Sequence, residues 1–259
     1  GLGTANKGSR RKEFKGQKQK EKSVGTALFQ KELRRFLGSA NYMLNCGLGI
    51  IFMPVAAVML FWKSGTVREF LSVLFAQDFL PLLAVAGICM IATMNDMTAP
   101  SVSLEGKSLW LVQSFPVLSR QVLTAKLKLH LSLTLIPAIP LIVAVEWLIK
   151  PSPVFGVLIP VIIALFVLLM GILGLCVNLK MPNLNWTSEI VPIKQSMSVM
   201  IALFGGWVII VAFAVAYFLL DSVFSPLGYL ALVLGILLVA CIVLLRWLLT
   251  KGAKIFSSL

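Results

Sequence analysis

Residues 101–130 read SVSLEGKSLWLVQSFPVLSRQVLTAKLKLH, and on both sides of them the chain is apolar for long enough to cross a bilayer. A plain connection between two spans would be polar and featureless. This one is amphipathic, basic and patterned for structure. Ser103 can cap a helix start, and Glu105 then sits in the positive first turn. Leu109 and Val112, with Leu111 and Phe115, supply apolar contacts at helical spacing. Pro116 ends that helix, and Ser119 can cap a second whose Arg120, Lys126 and Lys128 run into the next span. The spacing predicts helix, proline break, helix: a stiff hairpin with one arm continuing into a span. The alternative from the residues alone is a passive interfacial hairpin.

Composition frames this reading. The chain has 259 residues, 59% hydrophobic and 13% charged, with a mean hydropathy of +0.95. Soluble domains carry roughly 45–50% apolar and about 25% charged residues. The fold class expected is therefore all-α and integral to a membrane. Six spans of about 20 residues each can be drawn: Leu44–Trp62, Phe79–Met94, Leu129–Leu148, Val154–Val177, Val199–Leu220 and Leu227–Leu248. Tyr42 and Trp62 bracket the first as interfacial anchors.

Charge sets the orientation. With the N-terminus inside, 20 of the 23 Lys and Arg fall on cytoplasmic segments, and only Lys63, Arg68 and Lys150 fall outside. This positive-inside bias places both termini in the cytoplasm. Eleven of these cations precede residue 36. Nucleic-acid binding is the weaker account of that run, because basic flanks of spans stay cytoplasmic for topological reasons. Residues 1–25 are expected to be a disordered basic segment or linker. Residues 26–40 are expected to form an amphipathic interfacial helix, with Phe29, Leu33, Phe36 and Leu37 on one face and Lys31, Arg34 and Arg35 on the other. The six-span domain then covers 41–250, with a coupling loop at 101–130, and 251–259 is a cytoplasmic tail.

The inventory for chemistry is thin. No catalytic, cofactor-binding or metal-ligating constellation is visible, and the four cysteines all fall in apolar runs. The one histidine, His130, reads as an interfacial or hydrogen-bonding residue. Glu146 is the only acid placed near membrane depth, and it can snorkel outward. Gly106-Lys107-Ser108 has the look of a P-loop end, but Ser101 stands where that motif needs glycine. Asn185-Trp186-Thr187 matches a glycosylation sequon on the cytoplasmic side, where it has no meaning. A second cytoplasmic segment, Leu179–Lys194, offers Trp186, Glu189 and Lys194 for contact between Pro182 and Pro192.

The loop resembles that of permease subunits of bacterial type 2 ABC transporters. The residues that carry the likeness are Ser103, Glu105, Gly106, Lys107, Leu109, Trp110, Ser114, Pro116 and Lys126. The segment PNLNWTSEIVPIKQ is similar to the family's second cytoplasmic connection, and ALFQKELRRFL with Asn45 to its leading helix and first span. The similarity covers about Ala27–Leu249, and the chain reads as the C-terminal six-span half of a larger tandem permease. The resemblance implies an exporter of the bacterial inner membrane that performs no chemistry itself. Cytoplasmic ABC ATPase subunits, holding ATP and Mg, would dock on the coupling loop, where Arg120 adds a further cation. A second transmembrane domain, tandem half or homodimer, would complete the path, with membrane lipid around it. Two other classes compete: a secondary transporter or channel, which expects ionisable residues at mid-membrane, and a scaffold subunit with no path of its own. In the exporter reading, Glu105→Lys or Pro116→Ala is expected to uncouple ATP hydrolysis from transport while leaving insertion intact.

Overall fold

The computed structural model describes residues 23–259. The expectation for residues 1–22 lies outside them. Among the described residues the chain is helical and has no strand. In order come α1 (Val24–Gly38), α2 (Ala40–Cys46), α3 (Leu48–Trp62), α4 (Ser64–Leu74), α5 (Leu80–Ala92), α6 (Leu109–Ser114), α7 (Ser119–Ile149), α8 (Pro153–Lys180), α9 (Ile190–Lys194), α10 (Met197–Leu220), α11 (Pro226–Trp247) and α12 (Ala253–Ser258). Helix α1 opens at Val24, so its boundary falls two residues before the expected 26.

Four helical stretches, ending in α7, α8, α10 and α12, are long and apolar enough to cross a membrane. The count rises to six if each of two bent pairs is one span. The first pair is α2 with α3, bent by 54°; the second is α4 with the segment Gln77–Ala92, bent by 109°. The expected first span, drawn as one rod over Leu44–Trp62, is thus two helices meeting at Gly47. The expected second span contains a helix of only 13 residues, about 20 Å against a hydrocarbon core of about 30 Å. Helix α7 goes the other way. Its 31 residues measure about 46 Å at 1.5 Å per residue, and it continues through Pro137 and Pro140. The arm after Pro116 and the third span are therefore one helix, as the hairpin pattern predicts.

Two ends of the bundle are distinct. The loop end gathers α1, α6, α9 and α12, with residues 93–118 and 181–196 between them. Contacts from Lys31 to Glu105, Ser39 to Glu189 and Gln113 to Phe256 join these pieces. The opposite end carries α4 and the α7–α8 and α10–α11 connections. In lipid there is no hydrophobic drive between helices, so close packing of small side chains holds them. The long α3–α7 contact shows this, with Ala57, Ala138 and Ala144 buried beside Met53 and Leu141. Where α2 gives way to α3, the Asn95 side-chain Oδ1 accepts from the Ile50 N–H at 3.2 Å. Gly49 permits that approach, since a Cβ there would lie 2.8 Å from Asn95 Oδ1.

At the opposite end, the Arg68 guanidinium donates to the Leu148 carbonyl at 3.0 and 3.3 Å. A cation on the last carbonyls of a helix satisfies them and complements the dipole, worth about 0.3–1 kcal/mol. Arg68→Ala is expected to speed amide hydrogen exchange in residues 64–74 and 146–152 only. Unchanged protection there would show that α4 is held by other contacts.

Candidate functional site

The loop after α5 folds tightly before it reaches the surface. The Ser101 hydroxyl donates to the Thr98 carbonyl at 2.8 Å, and the Leu104 N–H donates to the Pro100 carbonyl at 2.8 Å. A 3₁₀ turn over Ser103–Ser108 then delivers α6, with Leu109 and Val112 buried against Leu28, Leu123, Leu175, Leu179 and Phe256. These contacts fix α6 on α1, α7, α8 and α12. The turn has a different economy from the expected helix cap. Ser103 is not the cap; Val102 stands there without a side-chain bond. Ser103 is instead a buried junction. Its hydroxyl accepts from Asn178 Nδ2 at 2.7 Å and from the Asn183 N–H at 2.9 Å. Its carbonyl accepts from Trp186 Nε1 at 2.7 Å. Asn178 Oδ1 takes the N–H groups of Val102 and Ser103 at 2.8 and 3.0 Å. One amide at the end of α8 therefore stitches the two loop-end connections together.

Glu105 is also turned inward. It is 2% exposed, and its carboxylate accepts from Lys126 Nζ at 2.8 Å, Lys31 Nζ at 2.9 Å and Arg35 Nη2 at 2.7 Å. Lys126, also 2% exposed, gives its other protons to Glu32 Oε2 at 3.0 Å and the Ser101 carbonyl at 2.9 Å. Its three donors are thus all used. Burial by itself would raise the Glu105 carboxyl. The Lys126 ammonium, then the bond and charge of Arg35 and the charge of Lys31, outweigh it and hold the group well below the usual carboxylate range. The network explains how α1 sits. Leu28, Glu32 and Phe36, spaced by four, form its buried face against the protein, while Leu37 of the expected apolar stripe is exposed. The helix docks on the loop and α7 through charge as well as through apolar contact.

The loop residues fall into two sets. Ser103, Glu105, Gly106, Leu109 and Lys126 are buried and hold the hairpin in place. Lys107, Trp110, Ser114, Pro116 and Arg120 are exposed, and with them Leu111, Phe115 and Leu118. The exposed set forms an apolar ridge with cations at its two ends, carried on α6 and the turn into α7. Of the second connection, Trp186 is brought against this loop. Glu189 is exposed and accepts from the Ser39 hydroxyl at 3.0 Å, and Lys194 is exposed on α9. Sequence reasoning missed Lys31 and Arg35 as partners of Glu105, and Glu32 as the second partner of Lys126. The signal present was a single acid, Glu32, on a basic helix. It also missed Asn178, an amide alone in an apolar run, and the polar cluster at Asn95 and Asp96. His130 lies buried with Nε2 3.1 Å from the Val167 carbonyl, the hydrogen-bonding role among those expected for it.

Gly106 has φ 53° and ψ −139°, a backbone state that a side chain disfavours. A Cβ there would meet the Trp186 ring at 3.0 Å. Gly106→Ala is expected to cost about 1–3 kcal/mol and to loosen the ring that bridges the two connections. Red-shifted tryptophan emission with a lower melting point checks this, provided the Trp186→Phe background abolishes the spectral change. A variant as stable as the parent would remove the requirement for glycine.

A family model described as a membrane protein of 12 TMs matches residues 4–246. No curated protein and no solved structure matches the chain.

Proposed function

The chain belongs to this family of membrane proteins of 12 TMs, and from that premise we propose that it is a permease half of an ABC-type exporter. Its six spans, counting each bent pair as one, pair with a second six-span half to make the path. A separate ATPase docks at the loop end and drives it. The carrying observation is the exposed ridge Lys107, Trp110, Leu111, Phe115, Leu118 and Arg120, mounted on a buried ion cluster and continuous with α7. A partner pushing on α6 moves a helix that crosses the whole bundle, because the Glu105–Lys126 contact removes the slack between loop and span. The positive-inside count supports placing this end in the cytoplasm, where ATP is available. Purification from the native membrane is expected to bring down an ABC ATPase, and transport in reconstituted vesicles is expected to require it. Transport by the purified chain without any ATPase would overturn the proposal.

One observation favours a second reading, a proton-coupled secondary transporter. Asp96 is 7% exposed, and its Oδ2 has no hydrogen-bond partner among the described residues. It lies beside the break between α2 and α3, near Tyr42 and Cys46. Burial pushes its carboxyl up to about 8, against the opposing effect of the Ala99 backbone N–H. The folded state then holds this proton more tightly than the unfolded chain, so stability falls as pH rises through the interval from 3.8 to about 8. Asp96→Asn is expected to flatten the stability–pH profile between about pH 4 and 8. If Asp96→Asn also abolished uptake driven by a proton gradient alone, the second reading would replace the first.

A further inference from the structure

A cavity of about 320 Å³ lies between α5, α8, α10 and α11 in the half of the bundle away from the loop end. Its floor is Ile162 and Phe166 of α8, both buried, and its exposed lining residues are Ala214 and Phe218 of α10. It therefore opens sideways between α5 and α10, onto the surface that faces lipid. At its outer mouth the rings of Phe79 and Tyr217 lie 5.6 Å apart, and those of Tyr217 and Tyr229 lie 5.2 Å apart. Along α5 and the residue that precedes it the lining runs from Phe79 to Cys89, about 15 Å at 1.5 Å per residue. That is half of a hydrocarbon core of about 30 Å, the depth of one leaflet.

The occupant follows from what such a space can hold. Ligand pockets begin at about 300 Å³, so this is more than a packing void. Water needs two to four polar partners, and the walls provide almost none. The Tyr229 hydroxyl already donates to the Phe213 carbonyl. Left empty, the walls forgo their dispersion contacts on one side. A hydrocarbon chain entering from the same leaflet restores those contacts without exposing any polar group. The segments that frame the mouth add charge selection. Residues 75–81 and 218–226 contain Asp78 and Asp221 and no lysine or arginine. They favour an ammonium at the headgroup over a purely anionic one.

We propose that this cavity is a lipid site, in which one acyl chain of an amine-headed phospholipid lies along α5 and α11 with its ammonium near Asp78 and Asp221. The site stands apart from the ridge at the loop end, and its test requires no ATPase. The full chain is reconstituted with phosphatidylethanolamine carrying a photoreactive acyl chain, or with phosphatidylglycerol carrying the same chain, and the labelled residues are mapped. Labelling is expected to concentrate on Cys89, Phe166 and Leu237, and to exceed that of outward-facing Val243 on α11. The ethanolamine lipid is expected to label these walls at least threefold more than the glycerol lipid. Ala86→Trp and Val233→Phe fill the cavity from opposite walls. Each is expected to reduce wall labelling at least fivefold, with Val243 labelling unchanged as the sign of a folded bundle. Wall labelling no higher than that of Val243, or unaffected by both substitutions, would overturn the site. Equal labelling by the two lipids would overturn its headgroup preference.

Discussion

Glu105→Ala is expected to cost about 3–5 kcal/mol of folding stability, the range for removing one partner of a buried ion pair. The reason lies in what remains. Lys126 would keep Glu32 and the Ser101 carbonyl, but Lys31 and Arg35 would lose the carboxylate that drew them inward. Three cations would then share one acid at a site with little water. The first structural consequence is release of α1, detectable as new tryptic cleavage at Lys31 and Arg35. A double-mutant cycle between Glu105 and Lys126 is expected to give a coupling of about 1–3 kcal/mol. The pH dependence follows from the direction of the Glu105 shift. Its folded carboxyl is depressed from 4.5, so its stabilisation is fully present above that value and is lost only as pH falls through the folded value. The difference between parent and Glu105→Ala is therefore flat from pH 5 to 8. A variant within 0.5 kcal/mol of the parent, with α1 still protected, would remove the cluster from the account of how the loop is held.

This result also separates two kinds of variant that look alike in the sequence. From the sequence alone, Glu105→Lys is expected to uncouple transport while leaving insertion intact. Burial among three cations gives another expectation: a fourth positive charge disrupts the α1–loop–α7 contact itself. A loss of transport in Glu105→Lys would then report a broken platform and say little about docking.

The last four spans and the hairpin were legible because both depend on local pattern. An apolar run of 20 residues and a proline after a helical hexamer carry their meaning within a few turns of chain. The break at Gly47 was not legible. A glycine in an apolar run is ordinary, and nothing near Gly47 in the sequence announces that Asn95, 45 residues beyond Ile50, takes the Ile50 N–H just past the bend. The same holds for the candidate site. Glu105, Lys126, Ser103 and Trp186 could be chosen from the sequence, but their burial could not. A lone acid in a loop reads as exposed until its cations appear, and here two of those came from a helix 70 and 74 residues earlier. Helix α1 misled for a related reason. Its apolar stripe is real, but its buried face has Glu32 between Leu28 and Phe36 in place of a third apolar residue, a choice that Lys126 explains.

The clean test of docking belongs to the exposed ridge, and Trp110→Ala carries the largest expected effect there. Trp110 is 67% exposed, so its removal leaves no cavity, and stability is expected to stay within about 0.5 kcal/mol of the parent. An interface, by contrast, concentrates its energy in a few buried anchors, most often tryptophan, tyrosine and arginine, worth about 2 kcal/mol or more each. Trp110 stands at the centre of the ridge, with Leu111 and Phe115 beside it and Lys107 and Arg120 at the ends. It is the side chain a partner's groove would enclose. Affinity for the ATPase that purifies with the parent is expected to fall about 30-fold or more, since 1.4 kcal/mol is a factor of ten. ATP-driven transport falls with it, while α1 remains protected from trypsin. Arg120→Ala, at the rim, is expected to act mainly on the association rate and to lose its effect at high salt. Pro116→Ala tests the arm rather than the anchor: binding persists and transport per ATP falls, because the rigid turn between α6 and α7 is gone. If Trp110→Ala bound and transported like the parent while Glu105→Ala failed in both, the ridge would be only lipid-facing surface. The ion cluster would then have to be explained by the stability of α1 alone.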